Sequence, residues 1–149
     1  AGPEMTRIYL IGSLRNPKVR EVAAALREAG HDVFDDWHSA GPNADDEWQK
    51  YEQDRKRPYH IALHGLHAET IFALDKTYLD RCQVGVLLLP AGKSGHLELG
   101  YMLGQGKRGY VFLPEAPERF DIMYKLATRI VSNMDELILL LDNGEMDAV

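Results

Sequence analysis

The segment Val84–Leu89 reads VGVLLL, apolar at every position, and stops at Pro90. A strand with no polar face must be covered on both sides, which is the situation of a parallel sheet between two layers of helices. Arg7–Ile11 (RIYLI) is a second run of this kind and ends at Gly12. Asn16 and Pro17 then suit a helix N-cap and first helical residue. Val19, Val22, Ala23 and Leu26 follow at i, i+3, i+4 and i+7, and Gly30 closes the helix. His31–Phe34 reads as the next strand, completing a β-α-β unit with a right-handed crossover.

The rest of the chain continues the alternation. Leu66–Arg81 is expected to be helical, Gly92–Gly95 a tight loop, and His96–Gln105 a helix closed by Gly106. Gly109–Leu113 and Arg129–Val131 supply further strands. Ser132 is expected to cap a last helix over about 133–141. The expected architecture is α/β: a Rossmann-like, five-stranded parallel sheet in flavodoxin-like order 2-1-3-4-5, with helices on both faces. Residues 35–66 depart from this rhythm. They are polar but carry Trp37, Trp48, Tyr51 and Tyr59, too aromatic for a disordered linker, and read as an ordered insertion with some helix. One domain over 5–149 is expected. Ala1 to Glu4, before Met5, show no signal-peptide pattern and read as an expression remnant.

The net charge is −6, which disfavours a nucleic-acid-coating role while leaving room for a small anionic ligand. No apolar run reaches the length of a membrane span. The lone Cys82 rules out an internal disulfide and points to a reducing, cytoplasmic setting.

In an open parallel sheet, ligands bind beyond the carboxyl ends of the strands where the strand order reverses, here between strands 1 and 3. Two loops meet there. In the first, Gly12 permits close approach, Ser13 offers a hydroxyl and Arg15 a planar fork for phosphate, with a helix N-terminus behind. A glycine turn with a solvated arginine explains that loop equally well. The second runs from Pro90 to Glu98 and carries Gly92, Ser94, Gly95 and His96. Glu98 is expected in the first turn of its helix, where the dipole alone favours a carboxylate. Gly100 and Gly104 weaken that helix by roughly 1 kcal/mol each, so a packing or ligand reason is expected for them. Asp75, with Asp80 as its rival, lies on the helix leading into the most apolar strand.

Tyr9 followed by Gly12-Ser13-Leu14-Arg15, with the later Ser94-Gly95-His96-Leu97-Glu98-Leu99-Gly100-Tyr101, resembles the nucleoside 2-deoxyribosyltransferase family over roughly 5–107. The Gly-Ser-x-Arg loop resembles the branch of 2′-deoxynucleoside 5′-monophosphate N-glycosidases. The resemblance implies a Glu98 nucleophile, Asp75 as the acid facing the leaving base, and Tyr9 under the sugar. It implies a 5′-phosphate held by Gly12, Ser13, Arg15 and Ser94, with Gly92 and His96 beside them. It also implies a small-molecule nucleotide substrate, no cofactor, no metal, and a homodimer. The 35–66 insertion departs from the family pattern; Asp36 and Trp37, after strand 2, are the base-side candidates. Ala91–Ser94 lacks the acidic residue that the transferases carry before their glutamate, which leans toward hydrolysis. Base exchange between nucleosides, or nucleotide sensing without catalysis, are the alternatives.

His60, His64 and His67 are spaced to share one helical face, an arrangement that invites a metal but lacks the H-E-x-x-H pattern. Met123-Tyr124-Lys125 reads as a cleft edge or a contact with a second subunit.

Overall fold

The computed structural model describes residues 5–143. The expression remnant read at 1–4, and the 144–149 end of the single-domain reading, lie outside the described residues. Strands β1 (Arg7–Ile11), β2 (Asp32–Phe34), β3 (Val84–Leu88), β4 (Arg108–Phe112) and β5 (Arg129–Val131) form one sheet in the order β2-β1-β3-β4-β5. Every neighbouring pair is parallel, with Tyr9 beside Gly85 and Ile11 beside Leu87. The expected order is therefore present, and it places the reversal between β1 and β3.

Successive side chains on a strand point to opposite faces, and β1 shows the consequence. Ile8 and Leu10 join one core with Val19 and Leu26 of α1 (Val19–Glu28) and Leu137 of α6 (Met134–Asn143). Tyr9 and Ile11 join the other with Leu79 of α4 (Leu66–Arg81) and Leu99 and Met102 of α5 (Lys93–Gly104). All five residues of β3 are buried, as a strand without a polar face requires.

Several boundaries move. α1 starts at Val19 rather than Pro17, although the Asn16 Oδ1 accepts the Lys18 N–H at 3.0 Å and so still acts near the helix start. Asn133, not Ser132, caps α6, accepting the Glu136 N–H at 2.9 Å. The expected loop at 92–95 is mostly helix, because α5 begins at Lys93. Gly95 explains this: a Cβ there would lie 3.0 Å from Leu87 Cδ1 and 3.2 Å from Ile11 Cγ2. The glycine that looks like a loop residue lets the first turn of α5 press onto β1 and β3, so packing overrides propensity.

The 35–66 insertion is ordered. It holds a 3-10 turn (Asp36–Ala40), α2 (Ala44–Asp54) and the short α3 (Tyr59–Ala62). Trp37 Nε1 donates to Leu10 O at 2.9 Å and ties the insertion to β1. Glu52, buried, accepts a two-pronged contact from Arg57 at 2.7 and 3.3 Å. On the exposed edge of β2, Arg27 Nη2 donates to Val33 O at 2.9 Å and to Asp35 Oδ1 at 2.7 Å, which blunts that edge against strand addition.

The packing reason expected for Gly100 and Gly104 fails: a Cβ on either meets nothing within 4 Å. Gly109 is the opposite case, its Cβ position lying 2.7 Å from Leu99 Cδ1 and 2.8 Å from Leu103 Cδ2. Gly100→Ala should therefore stabilise the chain by about 1 kcal/mol. Gly109→Ala should destabilise it by about 1–3 kcal/mol through overpacking beneath α5. Urea titrations of the two variants check the opposite signs.

Candidate active site

Tyr9 stands in the middle of β1 on the α4/α5 face, with 1% of its surface exposed. Its hydroxyl donates to Glu98 Oε2 at 2.8 Å. Because α5 begins at Lys93, Glu98 falls in the second turn rather than the first. The helix dipole, which fades beyond the first turn, therefore accounts for little of its placement. What holds the carboxylate is the phenol beneath it. Burial pushes the Glu98 carboxyl up to about 7, the Tyr9 hydrogen bond works against that rise, and the negative field of Asp75 adds to it. Tyr9 is raised above the ordinary phenol range by burial, then by the charges of Glu98 and Asp75.

The two aspartates of α4 separate cleanly. Asp80 accepts from Tyr101 Oη at 2.6 Å, Gln105 Nε2 at 3.0 Å and Lys76 Nζ at 2.9 Å. These bonds hold its carboxyl well below the usual range, led by the one from Tyr101, and make Asp80 and Tyr101 a brace between α4 and α5. Asp75 is partly buried on the side that faces Tyr9 and Glu98, and burial pushes its carboxyl up to about 6. The structure thus brings Tyr9, Asp75 and Glu98 together at the strand-order reversal.

The loop after β1 is a tight turn. Asn16 N–H donates to Ser13 O at 3.0 Å, and Arg15 N–H donates to Ser13 Oγ at 3.1 Å. His38 braces it from the insertion through Nε2 to Asn16 O at 3.1 Å. Gly12 lies under Trp37, whose Cη2 is 3.5 Å from the glycine's Cβ position. Asn16 Nδ2 is buried in this turn without a hydrogen-bond partner. Arg15 reaches into solvent, where Nη2 meets Asp46 Oδ2 of α2 at 2.9 Å.

Across the cleft, Gly92 is the N-cap of α5, and no side chain caps that end. Ser94 is exposed in the first turn. Both ring nitrogens of His96 are engaged: Nδ1 with Gly92 O at 2.7 Å and Nε2 with Tyr124 Oη at 2.9 Å. Since Gly92 O only accepts, Nδ1 carries the proton and Tyr124 donates to Nε2. His96 therefore pins the 3-10 turn Ile122–Leu126 to the start of α5, which makes Tyr124 a cleft-edge residue.

On the β2 side, Asp36 is exposed and Trp37 half-buried, its indole N–H already given to Leu10. A cleft of about 400 Å³ runs beside β2, lined by Phe34, Asp36, Tyr78 and Arg81 among others. It contains none of Tyr9, Asp75 or Glu98, so its volume alone does not mark the chemistry. His60 lies in α3 and His67 in α4, with a break at 63–65 between them, so the three histidines do not share a helical face. His67 stacks on Trp48 instead, with ring centres 6.3 Å apart. Among the described residues, no three His, Cys, Asp or Glu side chains converge on a metal position, and no helix is long and apolar enough to cross a membrane.

Asp46 and His38 had no signal as site neighbours, because each reaches its partner across tens of residues. No known family profile matches the chain, and no curated protein matches it in sequence. Solved structures do share its fold. A 2-deoxyribosyltransferase from the psychrotolerant bacterium Bacillus psychrosaccharolyticus superposes with a TM-score of 0.59 at 16% identity, over 89% of this chain and 90% of that one. A conserved protein from Enterococcus faecalis V583 gives 0.60 at 15% identity, over 94% and 99%. A CMP N-glycosidase from Clostridium botulinum gives 0.54 at 15% identity, over 91% and 98%. At such identities the shared property is the five-stranded parallel α/β fold.

Folding raises the Glu98 carboxyl to about 7, so the folded state binds that proton more tightly than the unfolded one. Stability is then lost as pH climbs from the ordinary carboxylate range through about 7. Glu98→Gln, which keeps an acceptor for Tyr9, should stabilise the protein by about 1–3 kcal/mol at about pH 8.5 and by little at about pH 4. Urea melts at both pH values check this, and equal effects at both would contradict it.

Proposed function

We propose that this chain is an N-glycosidase of the nucleoside 2-deoxyribosyltransferase family, hydrolysing the base–sugar bond of a (2′-deoxy)nucleoside 5′-monophosphate. The observation that carries the reading is the Tyr9–Glu98 hydrogen bond of 2.8 Å at the strand-order reversal, with Asp75 beside it. Glu98 attacks the anomeric carbon; the C–O ester bond forms as the C–N glycosidic bond breaks. The bonding pair leaves with the base nitrogen, which takes the Asp75 proton. Water then attacks the same carbon, gives its proton to Asp75, and releases the sugar phosphate and the Glu98 carboxylate. Tyr9 steadies Glu98, and the buried surroundings leave little water to screen the developing positive charge on the sugar.

Gly12, Ser13 and Arg15 on one side, and Gly92 and Ser94 with the uncapped start of α5 on the other, are the proposed phosphate cradle. His96 acts there by holding Gly92 and Tyr124 in place. The base is proposed to lie toward Asp36 and Trp37. The reading needs no cofactor or metal. A homodimer is proposed because α4 exposes Leu66, Ile71, Phe72 and Leu74, while only Leu79 of that helix is buried. The buried, undisulfided Cys82 suits a cytoplasmic protein.

Chromatography of a panel of nucleoside monophosphates after incubation with the protein should reveal free base and sugar phosphate. Glu98→Ala should slow release by about a thousandfold or more. Full-rate release by that variant, or none by the wild type, would overturn the reading. The likeness to a deoxyribosyltransferase adds one further outcome: a new nucleoside formed when a second base is supplied would mark base exchange.

The reaction needs one proton on the Asp75–Glu98 pair. Below about 6 both carboxyls are protonated and the nucleophile is lost; above about 7 both are ionised and the acid is lost. Between them the single proton rests mainly on Glu98, and the reaction draws on the minor arrangement in which Asp75 holds it. A plot of kcat/KM against pH should therefore be bell-shaped with its maximum between these values, and the acid-side loss should vanish from the residual rate of Glu98→Gln.

A further inference from the structure

Arg15 is the planar cation of the proposed phosphate cradle, and it is already holding an anion. Its Nη2 lies 2.9 Å from Asp46 Oδ2, a carboxylate delivered by the first turn of α2, 31 residues further along the chain. Both side chains are well exposed, 68% for Arg15 and 61% for Asp46, so the pair is free to exchange partners. A carboxylate and a phosphate present the same acceptor geometry to a guanidinium, and the fork cannot serve both fully at once. Asp45 and Glu47 occupy the same first turn, so the helix dipole has acidic residues beside Asp46 to complement it.

The remainder of the turn is preformed. Ser13 Oγ accepts the Arg15 N–H, and His38 braces Asn16 O from the insertion. These bonds hold the backbone of the Ser13–Asn16 turn; what must change when a ligand arrives is the partner of Arg15.

Resting on the phosphate-cradle reading above, we propose that Asp46 is a competing anion which occupies Arg15 in the free protein, must be displaced by the 5′-phosphate of the substrate, and so tempers the affinity for it. A phosphate carrying close to two negative charges outbids a single carboxylate. An unphosphorylated nucleoside brings no anion to exchange and leaves the pair closed. The insertion that interrupts the sheet rhythm thus acquires a task, which is to set the threshold of charge that Arg15 accepts.

The test uses 2-deoxyribose 5-phosphate, the part of the substrate that does not depend on the base, with 2-deoxyribose as control. Dissociation constants are measured by calorimetric titration for the wild type, Asp46→Asn, Arg15→Ala and the double variant. An exposed ion pair of this kind predicts about two- to fivefold tighter binding of the sugar phosphate by Asp46→Asn, with binding of 2-deoxyribose unchanged. In the Arg15→Ala background the Asp46 substitution should have no effect, the mark of a residue acting through its partner. If Arg15→Ala weakens binding but Asp46→Asn leaves it unchanged or weaker, this inference is overturned and the cradle stands. If Arg15→Ala binds as well as the wild type, the cradle itself falls and the inference with it. Thermal melts of Asp46→Asn close to those of the wild type confirm that its affinity change is not a loss of fold.

Discussion

The close seating of α5 on the sheet governs what happens at the sheet's carboxyl edge. Gly95 and Gly109 leave room where any side chain would meet Leu87, Ile11, Leu99 or Leu103, and the helix settles against β1, β3 and β4. Only at that depth does a carboxylate on the second turn of α5 reach a hydroxyl on the neighbouring face of β1. The same depth removes water from around Glu98, so one packing constraint both positions the group and shifts its proton affinity.

That arrangement runs against stability. A carboxyl pushed up to about 7 beside another pushed up to about 6 is costly to ionise at both positions, and the Tyr9 hydrogen bond offsets part of that cost at Glu98. Asp80 shows the opposite economy one and a half turns later on α4, where three donors surround it and it braces two helices. Two aspartates on one helix therefore have opposite environments, and strained proton affinities of the first kind gather at functional sites.

Much of this was legible in the sequence. Apolar runs without a polar face led to a covered parallel sheet, and the two short loops fell where the strand order reverses. Tyr9, Asp75 and Glu98 meet because those elements place them there. The start of α5 was not legible, since Gly92, Ser94 and Gly95 carry loop chemistry locally and only the tertiary contact of Gly95 with Leu87 explains their helical state. Gly100 and Gly104 invited a packing reason that the open space around them denies. Helix position alone left Asp80 as a rival to Asp75, and Tyr101 and Gln105 claim that rival. The Arg15–Asp46 and His96–Tyr124 pairs join distant segments, and no local pattern announces such partners.

The account turns on Glu98 becoming covalently bonded to the sugar. The most direct measurement is mass spectrometry of proteolytic peptides after rapid acid quenching, using a 2′-deoxy-2′-fluoro nucleoside 5′-monophosphate whose fluorine slows hydrolysis of the ester. The account predicts a fluorinated sugar-phosphate adduct on the peptide containing Glu98, formed with release of one equivalent of base and absent from Glu98→Gln. Base release that proceeds with Glu98 never modified, or with the adduct on another residue, would contradict it.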